Sequence, residues 1–224
     1  MDLQYKLQNQ RTMLREMDIR DLRTEFNLKI EGLLQIGSFN ATEYEPFKQI
    51  GVNRFIFVDA NPEIIPVLKS SLGEDCRILN YLISDQDDQE HTFHIANHAQ
   101  SSSILKFDKH KQYHPEYSQV IKTLQLSSIT LDSLIIREHI DMQSYNCLMM
   151  DIQGAEMMAL QGFERNLGHI DYIYTELNFD SMYEGCCLEP EFTLYLQERG
   201  YTLVKLFDTG YGWGDGLYIK QSLL

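Results

Sequence analysis

Apolar positions along this chain fall into short runs separated by more polar, helix-forming stretches, and the two patterns alternate. Leu33, Leu34 and Ile36 form a brief apolar run that Gly37 interrupts, and residues 42–50 read as a helix before Gly51. RFIFVD at 54–59 is apolar or aromatic at four consecutive positions before Asp59, as suits a central parallel strand covered on both faces. Pro62 fits the first turn of the next helix, where its missing N–H is harmless. RILNYLI at 77–83 predicts a third strand, and a polar turn separates it from another at 91–95. Beyond a long polar stretch, residues 97–118, come a strand near 120–126 and a helix from 130. CLMM is then a buried strand ending at Asp151, 155–161 a short helix, YIYTEL a further parallel strand, and 189–199 another helix. The tail differs: YTLVKLF and GLYIK are β-rich runs separated by DTGYGWGD, whose glycines allow a tight reversal. Strand–helix alternation closed by a hairpin predicts an α/β fold, a parallel sheet with an antiparallel strand at its edge.

Residues 4–26 contain neither Pro nor Gly and read as a charged helix with Leu14, Met17, Leu22 and Phe26 as packing positions. Residues 1–30 are thus expected as a helical extension that covers the main domain, 31–224, or contributes to a homodimer. The 33 acidic against 19 basic residues give a net charge of -14, which disfavours nucleic acid and anionic membrane as partners. Cys186 and Cys187 are adjacent, while Cys76 and Cys147 sit in apolar segments, so no zinc spacing or C-x-x-C pair is present. Buried thiols of this kind suit a reducing compartment and a cytoplasmic enzyme. The first residues are too polar for a signal peptide, and no apolar run approaches the roughly 18 residues of a membrane span.

In an open α/β sheet, ligands collect beyond the carboxyl ends of the strands. The residues there are Gly37-Ser38, Asp59, Ser84-Asp85, Asp151 and Glu176. Gly37 lets the backbone approach a ligand, or simply ends a strand. Asp59 can accept the two hydroxyls of an adenosine ribose, or cap a helix before Asn61-Pro62. No G-x-G-x-x-G and no phosphate-binding loop occurs, which weakens a nucleotide-dependent oxidoreductase.

MMDIQGAEMMALQGF at 149–163 resembles the strand-four motif of the FkbM family of S-adenosylmethionine-dependent methyltransferases. LLQIGSFNATEY at 33–44, FVDANPE at 57–63, LISDQD at 82–87, QSSSIL at 100–105, SITLDSL at 128–134 and YTELNFDSMYEG at 174–185 follow in the family's order. The resemblance implies a Rossmann-like class I methyltransferase fold, with a mostly parallel seven-stranded sheet and an antiparallel C-terminal hairpin strand. It implies methyl transfer to a hydroxyl, often of a sugar or other small molecule. Carried onto this chain, Gly37 and Ser38 would approach the methionine part of the cofactor. Asp59 would take the ribose, Ser84 and Asp85 would border the adenine, and Asp151 would face the amino or methyl end. Gln153 and Glu156 would line or brace the same loop. The chain departs from the pattern at Gln35, where an acid is common, and at Ala41, where the loop's second glycine stands.

A neutral sugar hydroxyl must lose its proton as it attacks, and a carboxylate or imidazole can take it. Asp151 is the expected base, with Glu176 orienting or sharing that task and His114, in the long polar stretch, as the alternative. His91, His94, His98 and His110 also invite metal ligation, and Asp151 with Glu176 and another acid would suit Mg²⁺; a solvated loop reads the same way, and no metal is assigned. Tyr113, Tyr117, Tyr183 and Trp213 would stack on a sugar or cover the core. A noncatalytic binding or scaffold protein remains the main competing class.

Overall fold

A computed structural model describes residues 17–224. Of the helix expected over 4–26 the described residues hold α1 (Ile19–Phe26), which starts after the extended N-cap Asp18, while residues 4–16, Leu14 among them, lie outside the described residues. There follow β1 (Leu33–Ile36), α2 (Tyr44–Gln49), β2 (Phe55–Asp59), α3 (Ile65–Ser71), β3 (Cys76–Asn80), β4 (Leu82–Ile83) and β5 (Glu90–Ala96). After α4 (His110–Tyr113) come β6 (Val120–Ile129), α5 (Leu131–Arg137), β7 (Cys147–Met150), α6 (Glu156–Gln161) and β8 (Tyr172–Asn178). α7 (Glu189–Gln197), β9 (Tyr201–Asp208) and β10 (Trp213–Lys220) complete the helices and strands of the described residues.

The main sheet has seven strands in the order β3-β2-β1-β7-β8-β10-β9. Its first five strands pair in parallel. β10 runs antiparallel to both β8 and β9, so the antiparallel strand stands one place in from the edge and β9 outside it. Sequence order reverses between β1 and β7, and their diverging connections open a crevice there.

Both faces of the sheet are covered, which is why its strands read as continuous apolar runs. Leu34, Ile36, Val58, Leu148 and Met150 pack on one side with Leu134, Leu160 and Leu196 from the helices α5 to α7. Leu33, Phe55, Phe57, Cys147 and Met149 pack on the other, with Leu22 of α1, Phe47 of α2 and Leu68 of α3. Met17 and Ile19 join this second cluster, so the segment before β1 is part of the packing.

Three local expectations are corrected. The run 77–83 is not one strand: β3 stops at Asn80 because its neighbour β2 stops at Asp59. The Asn80 amide closes that end by donating to the Asp59 and Ala60 carbonyls, at 2.8 and 3.2 Å. Leu82 and Ile83 then pair with β6 in a separate three-stranded sheet ordered β4-β6-β5. Pro62 lies in the turn before α3, and Pro66 occupies that helix's first turn. Residues 97–118 are more than a loop: they hold α4 and two 3-10 turns, Ala99–Ser101 and Pro115–Tyr117.

Two of the sequence motifs prove to be braces. Thr130 caps α5 by accepting from the Ser133 amide, and Asp87 accepts from the Thr130 amide and the Ser133 hydroxyl. Asp132 ties in the next connection through the amides of Arg165 and Asn166.

Candidate active site

Gly37 follows the end of β1 at φ +80°, a conformation that favours glycine. A Cβ there would sit 1.8 Å from the Asp151 carbonyl oxygen. The connections after β1 and β7 therefore touch, and beside them lies a cavity open to solvent. Phe39 and Ala41 also take positive φ, 40° and 50°, as the backbone curls over this space.

Gly37, Ser38, Asp59 and Asp151 all line the cavity. Asp59 accepts from the Phe39 amide at 2.9 Å and from the Asn61 amide at 2.8 Å, linking the connections after β1 and β2. It does not cap α3, which starts at Ile65. Burial raises its pKa, against the pull of these amide bonds. The Ser38 amide pulls the same way, and since an ionised carboxylate has about four acceptor positions, three amides leave room for one further donor. Ser84 and Asp85 are not in the cavity wall; the early exit of the chain into the second sheet puts Tyr81, Leu82 and Ile83 there. Ser84 instead bonds Asp85 at 3.0 Å and donates its amide to the Ile129 carbonyl. Ile64, Phe93 and Ile104 make the same end of the cavity apolar, and Ala99, Gln100 and Ser102 close it from the long stretch.

At the other end the wall holds Asp151, and behind it, outside the wall, lie Gln153 and three further acids, Glu156, Glu176 and Asp215. Asp151 is deep in the fold, yet its side chain is exposed because it opens into the cavity. The Gln153 amide donates to Asp151 Oδ1 at 2.7 Å and to Glu176 Oε2 at 2.6 Å, so one carboxamide holds both carboxylates. Gln153 is fixed in turn by the Tyr183 hydroxyl, which donates to its side-chain oxygen, and by Ser103, which donates to its carbonyl. Glu156 accepts from the amides of Ile152 and Gly154 and thus braces the DIQGAE turn from within. Asp215 of β10 stands directly opposite Glu176 in the register.

Burial is the largest influence on each of these groups. It brings Asp151 up to about 6, against the Gln153 hydrogen bond, with Glu43 and Asp59 adding to the rise. Glu176 goes well above the carboxylate range, through burial and the nearby Asp151, Glu156 and Asp215. Asp215 is pushed up to about 8 by burial, Asp151 and Glu43. Burial thus pushes both carboxyls up, and Glu176 further than Asp151, which opens into the cavity.

The structure brings Asp151 and Glu176 together but places His114 elsewhere. His114 accepts from the Trp213 indole at 3.3 Å and lies among Tyr117, Tyr211 and His110, outside the cavity wall. Burial lowers its pKa. Among the described residues no group of three or more His, Cys, Asp or Glu has the geometry to hold a metal ion. Glu43, Tyr81 and Asp215 were not singled out from sequence. Glu43 follows an irregular turn, and Asp215 lay within a stretch read as the hairpin reversal, so neither carried a strand-end signal.

The cavity fits a nucleoside carrying a polar tail. One end is apolar, Asp59 has spare acceptor capacity in the middle, and two buried oxygens at the other end have no partner: Gln35 Oε1 and Ser38 Oγ. An unpaired buried polar atom costs about 1–3 kcal/mol, so a ligand that satisfies it is favoured.

No curated protein matches the chain. Among solved structures, WbdD in complex with the kinase inhibitor LY294002 shares the fold at 12% identity and a TM-score of 0.50, over 95% of this chain and 41% of that one. Magnesium protoporphyrin IX methyltransferase from Synechocystis PCC 6803, with bound SAM, aligns at 9% identity and a TM-score of 0.49, over 96% of this chain and 81% of that one. TrmK of M. capricolum, in complex with S-adenosyl-homocysteine, aligns at 8% identity and a TM-score of 0.47, over 84% of this chain. The chain spans 62% of TrmK's length. The methyltransferase FkbM domain matches residues 36–203, well over half of the chain, and the chain belongs to this family of S-adenosylmethionine-dependent methyltransferases.

Proposed function

We propose that this chain methylates a hydroxyl group of a sugar or other small polyhydroxylated acceptor, with Asp151 as the base. The observation that carries this reading is the Asp151–Gln153–Glu176 bridge at the cavity's polar end. S-adenosylmethionine, when bound, supplies a methyl group already activated by a sulfonium, so catalysis rests on alignment and the exclusion of water. Asp151, open to the cavity as a carboxylate, would take the acceptor's proton as its oxygen bonds the methyl carbon and the methyl–sulfur bond breaks, leaving a neutral thioether. Glu176, kept protonated by its surroundings, donates a hydrogen bond that orients a second acceptor oxygen. Gln153 holds the two at a fixed spacing.

Outside the cavity wall, beside His114, aromatic surface offers a sugar a platform: Tyr211 is more than half exposed, Tyr113 is exposed, and Trp213 is partly open. Aromatic faces cover the apolar face of a sugar ring while carboxyl groups take its hydroxyls. A net charge of -14 favours a neutral acceptor over nucleic acid. The four cysteines are free thiols, in keeping with a reducing, cytoplasmic setting. No helix among the described residues is long and apolar enough to cross a membrane.

The test is methyl transfer from isotopically labelled S-adenosylmethionine to a panel of saccharides, read by mass spectrometry. Label appearing on saccharide hydroxyls supports the reading. Label confined to amine or carboxylate acceptors would overturn it.

Asp59 is assigned a ribose hydroxyl. Asp59→Ala is expected to weaken cofactor binding by about 1.5–3 kcal/mol, the scale of hydrogen bonds to a charged group. Unchanged calorimetric affinity in a folded variant would remove that assignment.

A further inference from the structure

We infer that the acceptor is a chain of at least two sugar units, and that Trp213, Tyr211 and Tyr113 form an outer subsite for the unit next to the one methylated. The inference rests on the reading of this chain as a methyltransferase of sugar hydroxyls. The three aromatic side chains come from two segments distant in sequence, α4 and the reversal before β10, and the protein fastens these together. Gly212 of the reversal comes so close that a Cβ on it would lie 3.0 Å from the Tyr113 ring and 2.9 Å from Met182 Sδ. The Tyr113 hydroxyl donates to Asp180 Oδ2 at 3.1 Å, and Lys109 Nζ donates to Oδ1 of the same carboxylate at 2.6 Å. The Trp213 indole donates to His114 Nε2 at 3.3 Å, and the His114 ring lies 5.7 Å from that of Tyr211. The polar edges of Trp213 and Tyr113 are therefore spent within the protein. What they have left to offer is their ring faces.

Ring faces held open in this way suit a ligand that is apolar on one side and polar at its rim, as a pyranose is. The strand ladder gives the distance from the chemistry. Asp215 of β10 is opposite Glu176, and Trp213 is opposite Asn178. Side chains two apart on a strand share a face, so Trp213 stands one rung out from the acids, about 7 Å along the strand. That is roughly the reach of one sugar unit. On the same rung, Asn178 is 2% exposed and its Oδ1 has no donor among the described residues. A ligand that brings hydroxyls is favoured there over a flat apolar one. Trp213 also packs against the cluster of Phe107, Met182 and Tyr183, and Tyr183 is the side chain that holds Gln153 between Asp151 and Glu176. Platform and carboxylates thus share one support. A single sugar at Asp151 leaves the platform bare, whereas two linked units fill both positions.

Trp213 is the only tryptophan of the chain, so its fluorescence reports the subsite directly, without turnover. Methyl glycosides of glucose, galactose and mannose would be compared with the homodisaccharides and homotrisaccharides of the same sugars, in protein saturated with S-adenosylhomocysteine. Saccharides of two or three units should change Trp213 emission saturably, at concentrations at least about tenfold below any effect of the single-unit glycosides. Among saccharides that take labelled methyl from S-adenosylmethionine, kcat/KM should be about tenfold higher for two units than for one, the worth of one aromatic contact. Tyr211→Ala and Asn178→Leu should each remove most of that preference, with thermal melts to verify folding. Equal kcat/KM for one and two units, a preference that survives both variants, or emission that no methylated saccharide changes would overturn the outer subsite while leaving sugar methylation intact. A protein that labels no saccharide would overturn both.

Discussion

Asp151→Asn is expected to lower turnover by about two to four orders of magnitude, the contribution of a positioned general base, while S-adenosylmethionine still binds. Asn keeps the shape of the side chain and its hydrogen-bonding oxygen toward Gln153, so the bridge to Glu176 can persist while the base is lost. The wild-type pH profile should carry the signature of the same group. Burial raises the Asp151 carboxyl to about 6, so it is protonated and inactive below that pH and ionised above it. Turnover should therefore rise as pH increases through about 6 and then level off. That limb should be absent from the residual activity of the Asn variant. Full turnover in the variant at saturating cofactor would reject Asp151 as base, and Glu176→Gln and His114→Ala would then be the variants to compare. Loss of cofactor affinity in place of turnover would make Asp151 a binding residue.

Gly37→Ala should be the most damaging single methyl group in the cavity wall. The new Cβ would meet the Asp151 carbonyl oxygen at 1.8 Å and its carbon at 2.7 Å, both backbone atoms that cannot swing aside. The residue would also be held at φ +80°, where a side chain is itself unfavourable by roughly 1–2 kcal/mol. Separating the ends of β1 and β7 is the only relief, and that disturbs the central strand pair. A loss of at least about 3 kcal/mol is expected, which for a chain of this size lowers the melting temperature by on the order of 10 °C. Gly51→Ala supplies the comparison. Gly51 has φ +95° but open space where its Cβ would be, so it bears the conformational cost alone. Equal melting temperatures for the two variants would show that the close approach of Gly37 to Asp151 carries no weight.

The parts of this molecule that were legible from sequence are those fixed by local pattern. Continuous apolar runs marked β1, β2, β7 and β8, and because crevice residues follow strand ends, Gly37, Asp59 and Asp151 could be named in advance. The rest depended on partners distant in sequence. Where β3 stops is decided by the length of β2, so the run through Tyr81 looked like one strand and the cavity wall was assigned two residues late, to Ser84 and Asp85. Glu43 reaches the site through the packing of α2 on the sheet, and Asp215 through the antiparallel register that sets it opposite Glu176. Neither relation leaves a trace in spacing. His114 was drawn toward the chemistry by its ordinary titration range, but the structure gives it to Trp213.

The direction of β10 has a consequence for how such a protein diversifies. Because β10 opposes β8, with Trp213 paired to Asn178 at its start, the reversal at 209–212 emerges at the same end of the sheet as the carboxyl ends of β1, β7 and β8. A parallel strand in that place would have brought a crossover to the far end instead. The chain thus carries, at the same end of the sheet as Asp151 and Glu176, a short segment that takes no part in the parallel hydrogen-bond ladder. Its length and side chains can change while every rung of that ladder is kept. Side chains at that end of the sheet can thus change without touching the strand pairs of β1, β7 and β8 or the residues that line the cavity.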